Sequence, residues 1–248
     1  MRVFSVSDKG PVRKENQDHG EACRLRVPRG AALLVCDGMG GANSGALAST
    51  LAAGAFLAHL KNRLSASRKN RMLLPYWMRE ACAAANAAVY ERACAEEAHA
   101  GMGTTLVAAV ILGKRAEILN VGDSRAYLIR GETITQLTRD HSVVAELTEL
   151  GKITPEQARI HPNRNLITRA VGVDDHVEPD LYSVQLRRGD RLLLCSDGLS
   201  NTLEDDELLA VCRRSRDAAV ICRTLVETAV ARGAGDNVTA AAAVVESL

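Results

Sequence analysis

Aromatic residues are scarce in this chain: Phe, Trp and Tyr make up only 3% of 248 positions. A core must therefore be built from Ala, Leu and Val, and a hydrophobic content of 47% is ample for that. No stretch approaches the ~20 consecutive apolar residues needed to span a bilayer. The first residues, MRVFSVSDKG, contain no apolar segment of an export signal. Neither sign of charge is in excess, and a net charge of +1 supplies no global field toward nucleic acid or an anionic membrane. The seven cysteines are odd in number, include no Cys-x-x-Cys pair and mostly sit in apolar runs. They read as buried free thiols in a reducing compartment. These absences lead us to expect a cytoplasmic protein that uses neither nucleic acid nor membrane as a partner; a monomer is also expected.

One cysteine spacing needs separate treatment. Cys23 and Arg29 stand at the Cys-x5-Arg interval of phosphatases that use a cysteine nucleophile. That chemistry needs a Gly-rich loop whose N–H groups cradle phosphate at a helix start. The intervening RLRVP has no Gly and reads as a strand ending in a Pro-Arg-Gly turn. Ala22 precedes the cysteine, so no adjacent His depresses its pKa. An ordinary strand cysteine is the better reading.

Hydrophobic periodicity predicts strands at 2–7, 17–26, 31–36, 104–112, 115–121, 124–130, 133–137, 178–187, 191–196 and 237–245. Gly113-Lys114 and Gly131-Glu132 are short hairpin turns. A first helix begins at an Asn43 or Ser44 cap and turns Leu47, Leu51, Ala55 and Ala58 to one side. A second runs from Pro75 to Ala98 with Ala81, Ala85, Ala88 and Val89 as a small-residue face. Further helices cover 205–213 and 215–232. No linker, repeat or low-complexity segment divides residues 1–248, so a single domain is expected. Antiparallel hairpins with helices in consecutive pairs imply an α+β fold of two sheets covered outside by helices.

Aspartates at the ends of such strands carry the chemistry. The apolar runs AALLVC and RLLLCS precede Asp37 and Asp197, each followed by a glycine that permits a sharp turn and a close carbonyl approach. Asp18 lies in RKENQD and Asp236 in GDN. Carboxylates gathered at loop tips repel unless cations lie between them. Hard oxygen ligands without imidazole or thiolate suit Mg²⁺ or Mn²⁺ rather than zinc. Any one aspartate in a turn is ordinarily a turn former; the set together is not.

RKENQD, DGMGG, GMGTT (Gly101 to Thr105), VGDSR (Val121 to Arg125), SDG and GDNVT follow one another in this order. The chain thereby resembles the metal-dependent protein Ser/Thr phosphatases, the PPM or type 2C family, and within it the bacterial single-domain members. The resemblance spans essentially the whole chain. It implies a four-layer αββα sandwich with two divalent metals at one end. On matching positions, Asp37 would bridge both metals, the Gly38 carbonyl would complete one, and Asp197 and Asp236 would bind the other. Asp18 would hold metal-bound waters. Asp123 with Asp197 matches a third metal position of bacterial members, and Arg13 matches the residue that grips the substrate phosphate.

Elementary energetics agree with such a site. Phosphate-monoester hydrolysis needs up to ~10²¹-fold acceleration, whereas general acid–base catalysis supplies about 10²–10⁴. Two cations roughly 3.5–4 Å apart can activate a water and offset developing charge, and an Arg fork recognises phosphate bidentately. Two positions depart from the family pattern. Met39 stands where animal members carry His, and methionine cannot donate a proton to a leaving group. Gln17 replaces a Glu common among relatives and contributes no charge.

The polar stretch at about 140–170 resembles the family's flap, and a loop of that length in a compact domain is usually functional. His141 and His161 flank it and read as structural or surface residues. The basic residues Lys61, Arg63, Arg68, Lys69 and Arg71 read as a solvated helix end that complements the helix dipole. The expected activity is hydrolysis of phosphoserine and phosphothreonine in proteins by a metal-activated water, with signalling by bacterial Ser/Thr kinases as the opposed process. Phosphorylated proteins are the implied partners, among them the kinases, FHA-type proteins and type VI secretion proteins. The competing class is a catalytically weak regulatory module that binds phosphoproteins; loss of metal carboxylates would mark it, and all are present.

Overall fold

A computed structural model describes residues 1–41, 44–66 and 71–246. Eleven strands occur among the described residues: β1 (Arg2–Asp8), β2 (Asp18–Arg24), β3 (Gly30–Met39), β4 (Gly103–Thr104), β5 (Leu106–Leu112), β6 (Arg115–Val121), β7 (Arg125–Arg130), β8 (Thr133–Gln136), β9 (Asp180–Gln185), β10 (Arg191–Cys195) and β11 (Val238–Val244). The helices are α1 (Ser44–Ala66), α2 (Leu74–Ala95), α3 (Val143–Glu149), α4 (Pro155–Arg159), α5 (Asp197–Ser200), α6 (Asp205–Arg214) and α7 (Ala218–Ala231). One sheet has the order β1-β11-β10-β7-β8; the other runs β2-β3-β5-β6-β9, with β4 added beside the end of β3. All pairings are antiparallel.

Three buried layers explain why the central strands read as unbroken apolar runs. On β3, Leu33 and Val35 face the other sheet and meet Leu192, Leu194, Ala241 and Ala243. The alternate residues Ala32, Leu34 and Cys36 pack under α1 and α2. On β10 and β11, Leu193, Cys195, Ala240 and Ala242 pack under α6 and α7. A strand buried on both faces has no polar alternation to show. The result is the αββα sandwich expected from the sequence. Small Ala side chains on β11 and on the Ala81–Ala85–Val89 face of α2 replace aromatic bulk.

Several local expectations differ from the structure. Asp37-Gly38 does not turn: β3 continues through Met39 and pairs with β4, Gly38 opposite Thr104. A Cβ at Gly38 would lie 1.9 Å from the Gly45 carbonyl oxygen, so this glycine serves the close approach of α1 rather than a bend. The strand expected at 104–112 is broken at Thr105. The buried face of α1 is Ala48, Ala52, Phe56, Leu60 and Leu64; Leu47, Leu51 and Ala55 are half-buried beside it and Ala58 is exposed. Ser44 opens the helix from within, its hydroxyl donating to the Ala98 carbonyl at 3.2 Å; Asn43 lies outside the described residues. α2 ends at Ala95, followed by a short 3₁₀ turn at Glu97–His99. The last helix starts at Ala218 because the Asp217 side chain caps it, accepting from the Ala219 N–H. Cys94 is exposed and Cys23 half-buried, while the other five thiols are buried and none forms a disulfide. In the basic run, Lys61 and Arg63 pair with Glu21 and Glu80; Arg68 and Lys69 lie outside the described residues. No helix is long and apolar enough to cross a membrane among the described residues.

Candidate metal centre and active site

Antiparallel pairing brings distant segments to one end of the sandwich. The start of β2, the end of β3, the β6–β7 turn, the end of β10 and the start of β11 all lie there, carrying Asp18, Asp37, Asp123, Asp197 and Asp236. Asp18 stands directly opposite Asp37 across the β2–β3 pair. Its Oδ2 accepts from Ser196 and Thr239 of the other sheet, each at 2.7 Å, so one carboxylate ties the two sheets together. Its Oδ1 has no partner. Burial is the main force raising the Asp18 pKa, to about 6, with Asp197 adding to it and the two hydroxyls opposing it.

Asp37 is fixed through its backbone. Its N–H donates to the Thr105 hydroxyl at 2.9 Å, and its carbonyl accepts from the Thr104 hydroxyl and the Thr105 N–H. Thr105 in turn shares a 2.7 Å hydrogen bond with Ser124, next to Asp123. Burial raises the Asp37 pKa well above the carboxylate range, reinforced by Asp18, Asp197, Asp123 and Asp236. The Asp123 carboxyl is raised in the same way, by burial and then by Asp197 and Asp140. Asp197 opens α5, directly after Ser196, and Asn201 donates to its Oδ2 at 3.1 Å. Burial and Asp236 raise its pKa, and its Oδ1 has no partner.

Arg13 and Asp236 meet in a 2.6 Å ion pair that sets the guanidinium at the rim of the cluster. The loop carrying Arg13 is pinned by Asn237, whose side chain accepts from the Gln17 N–H and donates to the Lys9 and Glu15 carbonyls. The Gly38 N–H donates to the Gln17 carbonyl at 3.1 Å, and the Gly38 carbonyl lies against the first turn of α1. A pocket of about 240 Å³ includes Arg13, Asp37, Met39, Asp123, Asp197 and Asp236 in its lining. The Met39 methyl packs over Gly103, and the 140–170 stretch contributes Asn165 and Ile167. The structure therefore gathers every residue that the sequence singled out for the site.

His141 is buried: its Nδ1 accepts from the Gly122 N–H at 3.1 Å and its Nε2 lies 3.2 Å from Asp180. His161 remains at the flap, its Nδ1 accepting from the Asn163 N–H. Residues that the sequence did not single out include Ser196, Thr239, Thr105 and Asn237. Each sits inside a motif that was recognised, so proximity in sequence was the available signal. Nothing in the sequence marks Asn165.

Among the described residues, no group of three or more His, Cys, Asp or Glu side chains is already arranged to hold a metal ion. The donor chemistry nevertheless fits hard cations. Several carboxylates share one pocket, raise one another's pKa values, and leave the Asp18 and Asp197 Oδ1 atoms without a hydrogen bond. Buried carboxylate oxygens without donors are costly unless a cation or a proton satisfies them.

Residues 14–238 match the family described as Protein phosphatase 2C. The chain belongs to that family, the metal-dependent protein Ser/Thr phosphatases. It is 36% identical over 242 residues to the protein phosphatase PhpP of Streptococcus pneumoniae, covering 97% of this chain and 96% of that one. A crystal structure of the catalytic domain of the serine/threonine protein phosphatase PstP, in complex with two manganese ions, superposes with a TM-score of 0.86 at 37% identity, covering 99% and 98% of the two chains. PppA, described as a key regulatory component of the type VI secretion system in Pseudomonas aeruginosa, superposes with a TM-score of 0.80 at 34% identity, covering 97% and 96%.

Proposed function

We propose that this chain hydrolyses phosphoserine and phosphothreonine in proteins at a dinuclear Mg²⁺ or Mn²⁺ centre. The observation that carries the reading is a cluster of five carboxylates from five segments, four of them lining one pocket, with an arginine at its rim. Asp37 would bridge two ions, with the Gly38 carbonyl on one and Asp197 and Asp236 on the other; Asp123 and Asp197 would hold a third. Two such cations, when bound, supply an activated water and neutralise charge on the phosphoryl oxygens. Asp18, anchored by Ser196 and Thr239 and paired opposite Asp37, would hold metal-bound waters. Arg13, now paired with Asp236, would exchange that pair for a bidentate grip on the phosphate. Met39 offers no proton, so leaving-group protonation falls to another donor.

The residues 1–248 act in this reading as one phosphatase domain, with about 140–170 as a flap. It would work as a cytoplasmic monomer, opposing a bacterial Ser/Thr kinase on phosphorylated proteins. The likeness to PppA supports a setting in type VI secretion; an FHA-type protein is another partner of the required phosphothreonine chemistry. The test is hydrolysis of phosphoserine, phosphothreonine and phosphotyrosine peptides with Mn²⁺ and with excess EDTA. Turnover of the first two, abolished by the chelator, is expected. Full activity in EDTA after dialysis would refute the metal centre, and phosphopeptide binding without turnover in Mn²⁺ would favour the regulatory module.

A further inference from the structure

The pole of the sandwich opposite the aspartates carries a second charged cleft. The starts of β10 and the ends of β7 and β11 meet there beside the α6–α7 loop, around a cavity of about 640 Å³. Five arginines line it, Arg130, Arg187, Arg188, Arg191 and Arg216, against two carboxylates, Asp190 and Glu246. This is a local concentration of cations on a chain whose overall net charge is only +1.

Both carboxylates are already engaged. The buried Asp190 accepts from Arg130 through both oxygens, at 3.0 and 2.6 Å, and from the Arg187 N–H at 2.7 Å. Glu246 pairs with Arg2 and with the amino terminus. Arg191 differs in kind. Its Nε and Nη2 donate to the Ser215 carbonyl and its Nη1 to the Gly189 carbonyl, all within 3.0–3.1 Å. Three hydrogen bonds to two neutral carbonyls fix the guanidinium without cancelling its charge. The same bonds hold the loop that bears Arg216. The exposed side chains of Arg187, Arg188 and Arg216 carry no ion pair among the described residues.

We propose that this cleft binds an acidic peptide segment of a partner protein, remote from the pocket of the phosphatase reaction. Guanidinium forks match carboxylates in geometry as well as charge. Arg191 pays little ordering entropy because its orientation is set before the ligand arrives. Arginines from two connecting loops and two strand ends surround the cavity, so successive acidic side chains of an extended segment have separate partners. β10 alone separates the two poles; five residues at about 3.3 Å each place them at least roughly 15 Å apart.

Binding of a ten-residue Glu-rich peptide without phosphate tests this independently of the catalytic reading. Fluorescence anisotropy would compare the full chain with Arg187→Ala/Arg188→Ala/Arg216→Ala, the corresponding triple Lys variant, and Arg79→Ala/Arg92→Ala on the outer helix α2. The wild type is expected to bind, more weakly as salt rises, and the triple Ala variant to lose about tenfold or more in affinity. The Lys variant should recover only part, because it restores charge without the fork. The α2 variant should bind like wild type, and hydrolysis of p-nitrophenyl phosphate by every variant should match wild type, reporting an intact fold. No peptide binding by the wild type, an equal loss in the α2 variant, full recovery by Lys, or tighter binding of a single-stranded RNA or anionic vesicles than of the peptide would overturn the proposal.

Discussion

Asp18 and Asp37 face one another across the β2–β3 pair, and only Asp18 is anchored to the opposite sheet. Ser196 and Thr239 occupy one of its oxygens, and the other has no partner. The two carboxylates therefore have separate duties. Asp18 is held by the fold, whereas Asp37 is held through its backbone with its carboxyl among like charges.

That relationship predicts an unusual pH dependence of stability without metal. Burial raises the Asp18 pKa from 3.8 to about 6, so the folded state binds its proton more tightly than the unfolded chain. The stabilising contribution is complete below about pH 4 and is lost as pH rises through about 6. A shift of this size corresponds to about 3 kcal/mol. In EDTA, urea denaturation should show this component falling between pH 4 and 6, and Asp18→Asn should remove it. Mn²⁺ should restore stability most strongly above pH 6. An unchanged slope in Asp18→Asn would assign the effect to another group.

Asp197→Asn should nearly eliminate turnover, by at least about 100-fold in kcat, because it removes charge from two proposed ion positions. Arg13→Ala should act mainly by raising KM, since binding the ground-state phosphate is its proposed task. Steady-state kinetics on a phosphothreonine peptide separate the two. Near-normal turnover by Asp197→Asn would show the metal centre to be elsewhere.

Gly38→Ala tests the close approach of β3 and α1. The new Cβ would meet the Gly45 carbonyl oxygen at 1.9 Å and the Gln17 carbonyl oxygen at 2.7 Å, both backbone atoms. Neither can rotate away, so a loss of about 3 kcal/mol or more is expected in denaturant unfolding. A midpoint equal to wild type would mean that α1 shifts freely.

Met39 lines the pocket and packs on Gly103 without any titrating group. Met39→Ala should change kcat little on phosphothreonine peptide. Met39→His adds a donor with an unperturbed pKa near 6.5 and should add a limb to the pH–rate profile. Its gain should be larger for phosphothreonine than for p-nitrophenyl phosphate, whose phenolate leaves without a proton. A hundredfold loss in Met39→Ala on both substrates, with folding and metal affinity intact, would give Met39 a positioning role instead.

The sequence by itself determined the strands that form the sandwich, because runs such as AALLVC and RLLLC can only be buried, and the Gly-bearing hairpin turns between them. β6 occupies the expected residues 115–121. The aspartates were legible because each stands in a short motif at a strand end, where the side chain leaves the apolar layer. Tertiary structure decided what local pattern cannot carry. The buried face of α1 differs from the expected one because Ala and Leu occur all around the helix, so only the sheet beneath selects Ala48, Ala52 and Phe56. The Asp-Gly at 37–38 stayed extended because β4 supplied a pairing partner from residues 103–104, far along the chain. Ser196, Thr239 and Asn237 acquired their roles in the same way: each hydrogen bond joins segments 178 or more residues apart. Asn120 and His141, which pin the turn before Asp123, also depend on contacts 19 residues away. Such partners are set by where antiparallel strands end in space, a property of the closed sandwich and of no single segment.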